Sequence, residues 1–500
     1  MTSGSRWLIA ALFVGSAVWA AVGSSWIFPQ LSANSDEGIY LLQADTLLDG
    51  DLTPAAPATH AEAFVPWFAA IEDGHYVLKY TPVHAAVVAS GDLLPGPDRL
   101  ALGVIAVAQL GALAALAAEL GLTGRARVAA LALFALSPLV LQLEITYLPY
   151  GTSLALGMAA LASVLRGLRL RALGWGLVGG FAWGLALFAR PYDGVLLLAV
   201  IAASAWSGPA DRRDVVRTAA AGALGAAVPL AAFLAFNAAV TGDAFQLPFN
   251  LLEPADRLGF GDRRALPSDA FIEFGPAESI AALGRNLLLV VAWTGGGLVA
   301  IALAGWALVQ RRFRTAPVVA MLIIWPLGYA LFWGSYLTAF VWDGALFLGP
   351  YYYLPLIPML CIAAAAGWEE LQRFHPRTSA GALVAMAALS LFTLLPALRD
   401  QIDRSSQREE MAEALATNID SPALVFLPPV YGAYLQNPFS FLRNTPDLDG
   451  PIVYALAGND ARDAQVMDMF PERSPYRVRL PRGWSDQPEF EPLIEIEPIT

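Results

Sequence analysis

Two adjacent acids, Asp36 and Glu37, have the residue types best suited to acid–base chemistry in this sequence. They follow the first long apolar segment, and Ser35 before them is a common helix N-cap residue. A helix from there to about Asp49 places both carboxylates in its first turn, where the helix dipole stabilises negative charge. The structural alternative is that both acids only complement the dipole.

Three of the four histidines, His60, His75 and His84, lie in or just after the same segment. Because imidazoles and carboxylates together bind divalent cations, His60, His75 and Glu37 are candidate metal ligands. Their spacing does not match the HExxH pattern. Surface roles for the histidines are therefore the alternative. No cofactor is predicted to be obligatory, and a divalent cation remains possible.

The candidate functional cations are Lys79, Arg190, Arg257 and Arg263. Lys79 is the only lysine of the chain and could either snorkel to a membrane interface or act as a point charge. Arg190 lies between two apolar segments, where a charge is costly and therefore a functional candidate. A structural ion pair with Asp193 is its alternative. Arg257 and Arg263 belong to a glycine-containing segment that could bring donors to a phosphate or be a solvated loop.

The elements that must position these residues are apolar helices. The chain has 500 residues, of which 57% are hydrophobic and 14% charged, whereas a soluble domain has about 25% charged residues. The apolar residues come in blocks of about 20, the length that spans hydrocarbon. A net charge of −12 argues against nucleic-acid binding. The single cysteine, Cys361, excludes an intrachain disulfide framework.

We predict about eleven membrane spans, with boundaries good to a few residues. The spans are roughly 6–27, 99–120, 127–143, 149–166, 172–189, 192–207, 218–239, 285–309, 316–334, 351–368 and 379–397. The first is interpreted as an uncleaved span, with a signal peptide as the alternative.

Arginine placement predicts the orientation of these spans. Alternate short connections contain clusters of arginine, at 125–127, 166–171, 212–217, 311–314 and 373–377. The positive-inside rule assigns them to the cytoplasm together with the N-terminus. An odd number of spans then puts the C-terminal segment outside a plasma membrane.

The polar residues are concentrated in the outer segments. Residues 1–397 are predicted to form a transmembrane domain with outer loops at 28–98 and 240–284, and residues 398–500 a small extracytoplasmic α/β domain. Strands are expected at 423–427 and 452–456 and a helix at 460–469. The helix after Asp36 is amphipathic and is expected to lie along the interface. Long loops are usually functional or disordered, and their aromatic residues argue against disorder, so we expect chemistry at the outer face.

The order of motifs resembles the GT-C superfamily of membrane glycosyltransferases. It is most similar to the branch of protein mannosyltransferases and aminoarabinose transferases, glycosyltransferase family 39. The motifs are, in order, Asp36-Glu37, Leu47-Leu48-Asp49-Gly50, Tyr80-Thr81-Pro82, Ser137-Pro138, Arg190-Pro191 and Gly349-Pro350-Tyr351-Tyr352-Tyr353-Leu354-Pro355.

The resemblance implies an all-α polytopic membrane protein that transfers a sugar from a polyprenyl-phosphate donor, with inversion, to an acceptor hydroxyl at the outer face. The acceptor would be a lipid, a glycan or a protein. Asp36 would be the general base, and Glu37 would orient the acceptor or hold a metal. Lys79 and Arg190 would meet the departing phosphate, with Arg257 and Arg263 in reserve.

The donor and acceptor pocket would include Tyr40, Tyr80, Glu144, Tyr351 and Tyr352. Two positions depart from the pattern of the superfamily. Tyr150 stands near a position where many relatives carry an acid, with Glu144 one and a half turns earlier. Tyr351 stands where many relatives carry a basic residue, so other cations must supply that charge.

Two other classes remain as alternatives. A transporter or flippase favours internal repeats, broken helices and ionisable groups near the midplane. No repeat is evident, and the ionisable residues cluster at span ends. A non-catalytic subunit that binds a partner through its C-terminal segment is the third interpretation.

Overall fold

The computed structural model describes residues 3–32, 34–93, 99–264, 271–311, 313–341, 348–428, 438–479 and 494–499. The helices are α1 (Ser3–Val18), α2 (Ser24–Ile27), α3 (Asp36–Leu48), α4 (Val83–Asp92), α5 (Leu100–Glu119), α6 (Gly124–Ala135), α7 (Pro138–Glu144), α8 (Tyr150–Leu170), α9 (Leu173–Ala189), α10 (Pro191–Trp206), α11 (Arg212–Thr241), α12 (Pro248–Leu252), α13 (Pro276–Trp293), α14 (Gly297–Gln310), α15 (Ala316–Tyr329), α16 (Gly334–Tyr336), α17 (Leu356–Phe374), α18 (Pro376–Asn418) and α19 (Asp460–Asp468). The strands are β1 (Ala69–Glu72), β2 (His75–Leu78), β3 (Gly261–Arg264), β4 (Phe271–Phe274), β5 (Ala423–Leu427), β6 (Ile452–Leu456), β7 (Ser474–Arg479) and β8 (Glu495–Pro498).

The apolar blocks form helices, as expected for a polytopic membrane protein. Within the described residues, five helical segments are long and apolar enough to cross a membrane, and up to eight if each of three bent pairs is one span. The apolar helices α9 and α10 are shorter, with 17 and 16 residues. The expected count of about eleven spans is therefore not confirmed.

One predicted span, 285–309, is instead two helices, α13 and α14, that meet at an angle of 100°. Gly296 and Gly297 turn the chain with φ values of +91° and +52°, a conformation that glycine adopts without steric cost. A Cβ on Gly295 would lie 1.9 Å from the carbonyl oxygen of Leu133, so α6 packs directly on the turn. Hydropathy does not report this bend because the apolar run continues through the glycines.

The arginine-containing connections gather at one end of the helical bundle. Arg169, at the end of α8, donates two hydrogen bonds to Glu119, at the end of α5, at 2.7 and 2.8 Å. Arg171 pairs with Asp214, near the start of α11, at 3.0 Å. The backbone N–H of Arg314 donates to a carbonyl just after α5. We call this the arginine-rich end of the bundle.

Helix α3 lies at the opposite end, and most of its side chains are buried. A Cβ on Gly38 would lie 2.3 Å from the carbonyl oxygen of Ser440, so the C-terminal segment rests directly on the helix. Arg443 pairs with Asp45 at 2.8 Å. The expected interfacial helix is therefore an internal one, because the outer segments cover it.

The C-terminal segment contains a four-stranded sheet in the order β6-β5-β7-β8. Strands β6 and β7 both run parallel to β5, and β8 runs antiparallel to β7. The predicted strands 423–427 and 452–456 match β5 and β6, and the predicted helix 460–469 matches α19 within one residue.

Helix α18 connects the bundle to this sheet without interruption. It runs through residues 397 and 398, where we expected the boundary between two domains. Its last turns pack on one face of the sheet through Met411 and Leu415. The other face packs on the first outer loop, where Phe426 and Phe64 belong to one core.

Candidate active site

A cavity of about 140 Å³ lies at the end of the bundle opposite the arginine-rich end. Seven of the predicted site residues line it: Asp36, Tyr40, Lys79, Tyr80, Arg190, Tyr351 and Tyr352. The remaining lining residues are Asn34, Ser35, Phe68, Pro149, Tyr150, Phe249, Asp256, Phe332, Trp333, Gly334 and Leu337. We call it the outer cavity.

Asp36 reaches the outer cavity from the first turn of α3. Its backbone N–H donates to Asn34 Oδ1 at 3.0 Å, so Asn34 supplies the side-chain contact expected of Ser35. The Tyr80 hydroxyl donates a hydrogen bond to the Asp36 carboxylate. Burial raises the pKa of Asp36, and the Lys79 ammonium, the Tyr80 hydroxyl and Arg190 partly offset that rise. The carboxylate is therefore a stronger base than an exposed aspartate.

Lys79 is buried among aromatic rings. Its Nζ lies 4.2 Å from the ring centroid of Phe68 and 4.5 Å from that of Phe249. It is also 3.8 Å from Asp256 Oδ2, a loose ion pair. Asp256 accepts a shorter hydrogen bond, 2.6 Å, from Trp333 Nε1. The ammonium is thus held by ring faces and by one carboxylate at the edge of contact distance.

Arg190 enters the cavity because Pro191 begins a new helix directly after it. The residue is extended, with φ −146° and ψ 92°, and separates α9 from α10. Its Nε donates to Asp193 Oδ2 at 2.6 Å. The guanidinium carbon lies 4.3 Å above the ring centroid of Tyr150. The structural ion pair considered for Arg190 is present, and Tyr329 also donates a hydrogen bond to Asp193.

Tyrosine rings form two walls of the cavity. Tyr40 and Tyr80 stack with centroids 4.8 Å apart and an interplanar angle of 13°. Tyr351 lies 4.9 Å from Tyr150 and 4.5 Å from Tyr352. The cavity therefore combines charged groups with flat aromatic surfaces.

The second acid of the pair, Glu37, faces away from the cavity and is buried. Its Oε1 accepts hydrogen bonds from the Ser32 backbone N–H, at 2.9 Å, and from the Ser32 hydroxyl. Its Oε2 accepts from the Tyr147 N–H at 2.7 Å. Arg408 of α18 donates to the Ser32 carbonyl and is electrostatically coupled to Glu37. Glu37 thus joins the start of α3 to the segment between α7 and α8, and it interacts electrostatically with Arg408 of α18.

Three further predicted side chains lie outside the lining of the cavity. Arg263 is buried and donates to carbonyl oxygens of its own loop, including those of Arg257 at 2.8 Å and Gly259 at 2.7 Å. Arg257 is exposed. Glu144 is buried at the end of α7, and its carboxylate oxygens have no hydrogen-bond partner among the described residues.

The metal candidates are dispersed. His60 lies 3.6 Å from Glu62, His75 is exposed on β2, and Glu37 is occupied by backbone and hydroxyl donors. Among the residues that the structure describes, no three His, Cys, Asp or Glu side chains are grouped to hold a metal ion. His84 is also buried, between Thr152 Oγ1 and the Tyr147 carbonyl, which gives it a structural position.

Sequence reasoning missed Asp256, Trp333, Phe68 and Phe249 as lining residues. Asp256 directly precedes Arg257, and we considered that segment only for its arginines. Trp333 follows α15, about 80 residues later in the chain. No local spacing connects these positions. Only the packing of the outer loops on the bundle brings them to Lys79.

The chain is similar to known proteins at two levels, a family model for its C-terminal segment and solved structures for the whole fold. A protein-family model described as a domain of unknown function (DUF7846) matches residues 423–498. A search of curated proteins finds no match.

Solved structures are similar over nearly the whole chain. The crystal structure of ArnT from Cupriavidus metallidurans bound to undecaprenyl phosphate gives a TM-score of 0.57 at 14% identity, covering 94% of this chain and 93% of that chain. The apo form of ArnT gives 0.56 at 16% identity, covering 96% and 94%. The apo oligosaccharyltransferase from Archaeoglobus fulgidus gives 0.52 at 12% identity, covering 96% and 70%. Since these proteins are GT-C membrane glycosyltransferases, this chain has the fold of the GT-C superfamily.

Proposed function

We propose that the protein is a membrane glycosyltransferase that moves a sugar from a polyprenyl-phosphate donor to an acceptor hydroxyl, with inversion, at the outer face of the membrane. The observation that carries the proposal is the outer cavity, in which Asp36 shares one small space with Lys79 and Arg190. Such a transfer needs a base for the acceptor and positive charge for the leaving phosphate. Both are present within the GT-C fold.

Asp36 is the base in this proposal. The acceptor oxygen forms a bond to the anomeric carbon as its proton passes to the Asp36 carboxylate. The hydrogen bond from Tyr80 and the stacking of Tyr80 on Tyr40 hold that carboxylate and its surroundings in place. A raised pKa brings Asp36 closer to the pH of the solution, which favours general-base catalysis.

Lys79 and Arg190 receive the departing phosphate. As the bond from the anomeric carbon to the phosphate oxygen breaks, its electron pair stays on that oxygen. The 3.8 Å contact between Lys79 and Asp256 is long enough for a phosphate oxygen to compete for the ammonium. Arg190 is held more tightly by Asp193, at 2.6 Å, so it offers its remaining N–H donors.

The lipid chain of the donor would leave the outer cavity beside Tyr150. A second cavity of about 30 Å³ shares Tyr150 and is lined mainly by apolar residues of α8, α10, α15 and α17, among them Leu154, Leu197 and Met321. A prenyl chain needs no polar partner there. The geometry therefore offers a charged compartment for the phosphate beside a small apolar one, which marks the direction in which the tail would leave.

Inversion is the simpler stereochemistry for this cavity. Retention by double displacement requires a second carboxylate to act as nucleophile. Asp256 contacts Lys79 and Trp333, and Asp193 contacts Arg190 and Tyr329, so both serve as partners of other groups. Asp36 is the carboxylate left for the acceptor.

The proposed orientation puts the arginine-rich end in the cytoplasm and the outer cavity with the C-terminal sheet outside. In this proposal Glu37 holds the first turn of α3, and with it Asp36, in place, and it does not bind an acceptor or a metal. The reaction as written requires no cofactor.

The test uses the purified full chain with undecaprenyl phosphate and with undecaprenyl-phosphate arabinose or mannose as labelled donors. Asp36→Asn should retain undecaprenyl phosphate but lose transfer or sugar release by about 10²–10⁴-fold, because the base is removed. Asp49→Asn, an exposed acid at the end of the same helix, is the matched control and should behave as the wild type.

Near-wild-type transfer by Asp36→Asn would overturn the catalytic assignment. Failure of the wild-type protein to retain undecaprenyl phosphate would overturn the donor class. Transport of the intact labelled donor across vesicles without sugar release would support the transporter instead.

A further inference from the structure

A third cavity, of about 500 Å³, lies at the arginine-rich end of the bundle. Its charged lining residues are Arg169, Arg171, Arg311, Arg314, Asp211 and Asp214. Apolar side chains at the ends of α8 and the start of α15 complete the wall, including Leu165, Leu168 and Phe313. We call it the inner cavity.

The arginines of the inner cavity are not equally paired. Arg169 is bound by Glu119, and Arg171 by Asp214 at 3.0 Å. Within the described parts of the chain, which leave out residue 312 and the other gaps given above, Arg311 and Arg314 form no ion pair with a carboxylate. Two guanidinium groups are therefore available to an incoming anion. Helix α15 begins at the same cavity and adds the positive end of its dipole.

The surroundings of the inner cavity indicate where such an anion comes from. Helices α10 and α15 pack together, and both expose apolar side chains. On α10 these include Trp206, 67% exposed, and on α15 Ile323, 53% exposed. The Arg212 guanidinium carbon lies 5.3 Å from the Trp206 ring centroid. A tryptophan beside arginine at the end of an apolar helix is typical of a membrane–water interface.

We propose that the inner cavity binds the anionic headgroup of a phospholipid of the adjoining leaflet. The phosphodiester accepts hydrogen bonds from Arg311 and Arg314, whose planar forks match phosphate geometry. The acyl chains lie against the exposed apolar faces of α10 and α15. A soluble phosphate would use the same two arginines but would leave those apolar faces without a partner. This site is independent of sugar transfer.

The test measures lipid retention by native mass spectrometry after incubation of the purified full chain with mixed micelles of phosphatidylglycerol and phosphatidylcholine. The wild type should retain phosphatidylglycerol preferentially. Each basic residue near an anionic lipid contributes about a fivefold preference, so Arg311→Gln/Arg314→Gln should reduce this preference about 25-fold. The control Arg213→Gln/Arg217→Gln removes the same charge from α11 outside the cavity lining and should leave it unchanged.

Three results would overturn the proposal. One is that the wild-type protein shows no preference for phosphatidylglycerol, a result that can be interpreted without any variant. Another is an equal loss of lipid preference in the Arg213/Arg217 control, which would indicate that the preference depends on the total positive charge and not on the cavity. The third is stabilisation by inorganic phosphate alone with no retained phospholipid, which would indicate a soluble anion. An unchanged midpoint of denaturant unfolding for the Arg311/Arg314 variant checks that it is folded.

Discussion

The outer and inner cavities hold positive charge in different ways. In the outer cavity Lys79 and Arg190 are largely buried, and each contacts an aspartate, at 3.8 and 2.6 Å respectively. In the inner cavity Arg311 is exposed and Arg314 half-buried, and neither forms an ion pair with a carboxylate of the described residues. The cations of the outer cavity are thus held by aspartates, whereas Arg311 and Arg314 in the inner cavity are not.

The difference follows from the cost of removing charge from water. A buried ion loses several kcal/mol of hydration and needs a partner in good geometry, whereas an exposed ion is hydrated and screened. Buried charges that such partners hold in place are suited to chemistry that depends on geometry. Hydrated groups are suited to reversible binding of abundant anions.

The sharpest way to break the comparison is to remove one partner at each end. Asp193→Ala leaves Arg190 largely buried without its carboxylate and should lower the free energy of unfolding by about 3 kcal/mol or more. Asp214→Ala removes the nearer of the two aspartates that pair with Arg171, a 71%-exposed side chain, and should cost less than about 1 kcal/mol. Denaturant unfolding in one detergent measures both. Equal losses in the free energy of unfolding would show that the ion pairs at the two ends stabilise the protein equally.

A second prediction concerns the two neighbouring acids at the outer end. Glu37→Gln weakens three hydrogen bonds to a buried carboxylate and its coupling to Arg408, and should destabilise the protein by about 1.5–3 kcal/mol. Transfer should also fall, because the first turn of α3 carries Asp36.

Denaturant unfolding and the transfer assay measure these effects, with Glu72→Gln on the exposed edge of β1 as control. Loss of transfer at unchanged stability would instead indicate that Glu37 contacts the substrate.

The third prediction uses pH. The Lys79 ammonium lowers the pKa of Asp36 against the larger effect of burial, so Lys79→Met should raise that pKa further. The proposed general base, Asp36, would act only when it is deprotonated, so the rising acid limb of the rate profile should move to higher pH. Arg314→Gln, in the inner cavity, should leave the limb unchanged. An acid limb that moves to lower pH, or that moves with Arg314→Gln, would contradict the coupling.

Much of the fold could be predicted from local pattern. Helix α3 and the strands β5 and β6 follow the expected bounds because helix-favouring and strand-favouring runs are local signals. The break between α13 and α14 was missed because glycines do not interrupt an apolar run. The internal position of α3 was missed because its cover, including Ser440, comes from about 400 residues later in the chain.

The sequence by itself determined the helical membrane class, the separation of arginines from the acid pair, and the residues most suited to acid–base work. Only the tertiary structure decided which acid faces the cavity. Neighbouring residues on a helix point about 100° apart, so packing turns Asp36 towards Lys79 and Glu37 towards Arg408. It likewise decided that Arg263 binds its own loop while Asp256 meets Lys79, because contacts between distant segments leave no trace in local spacing.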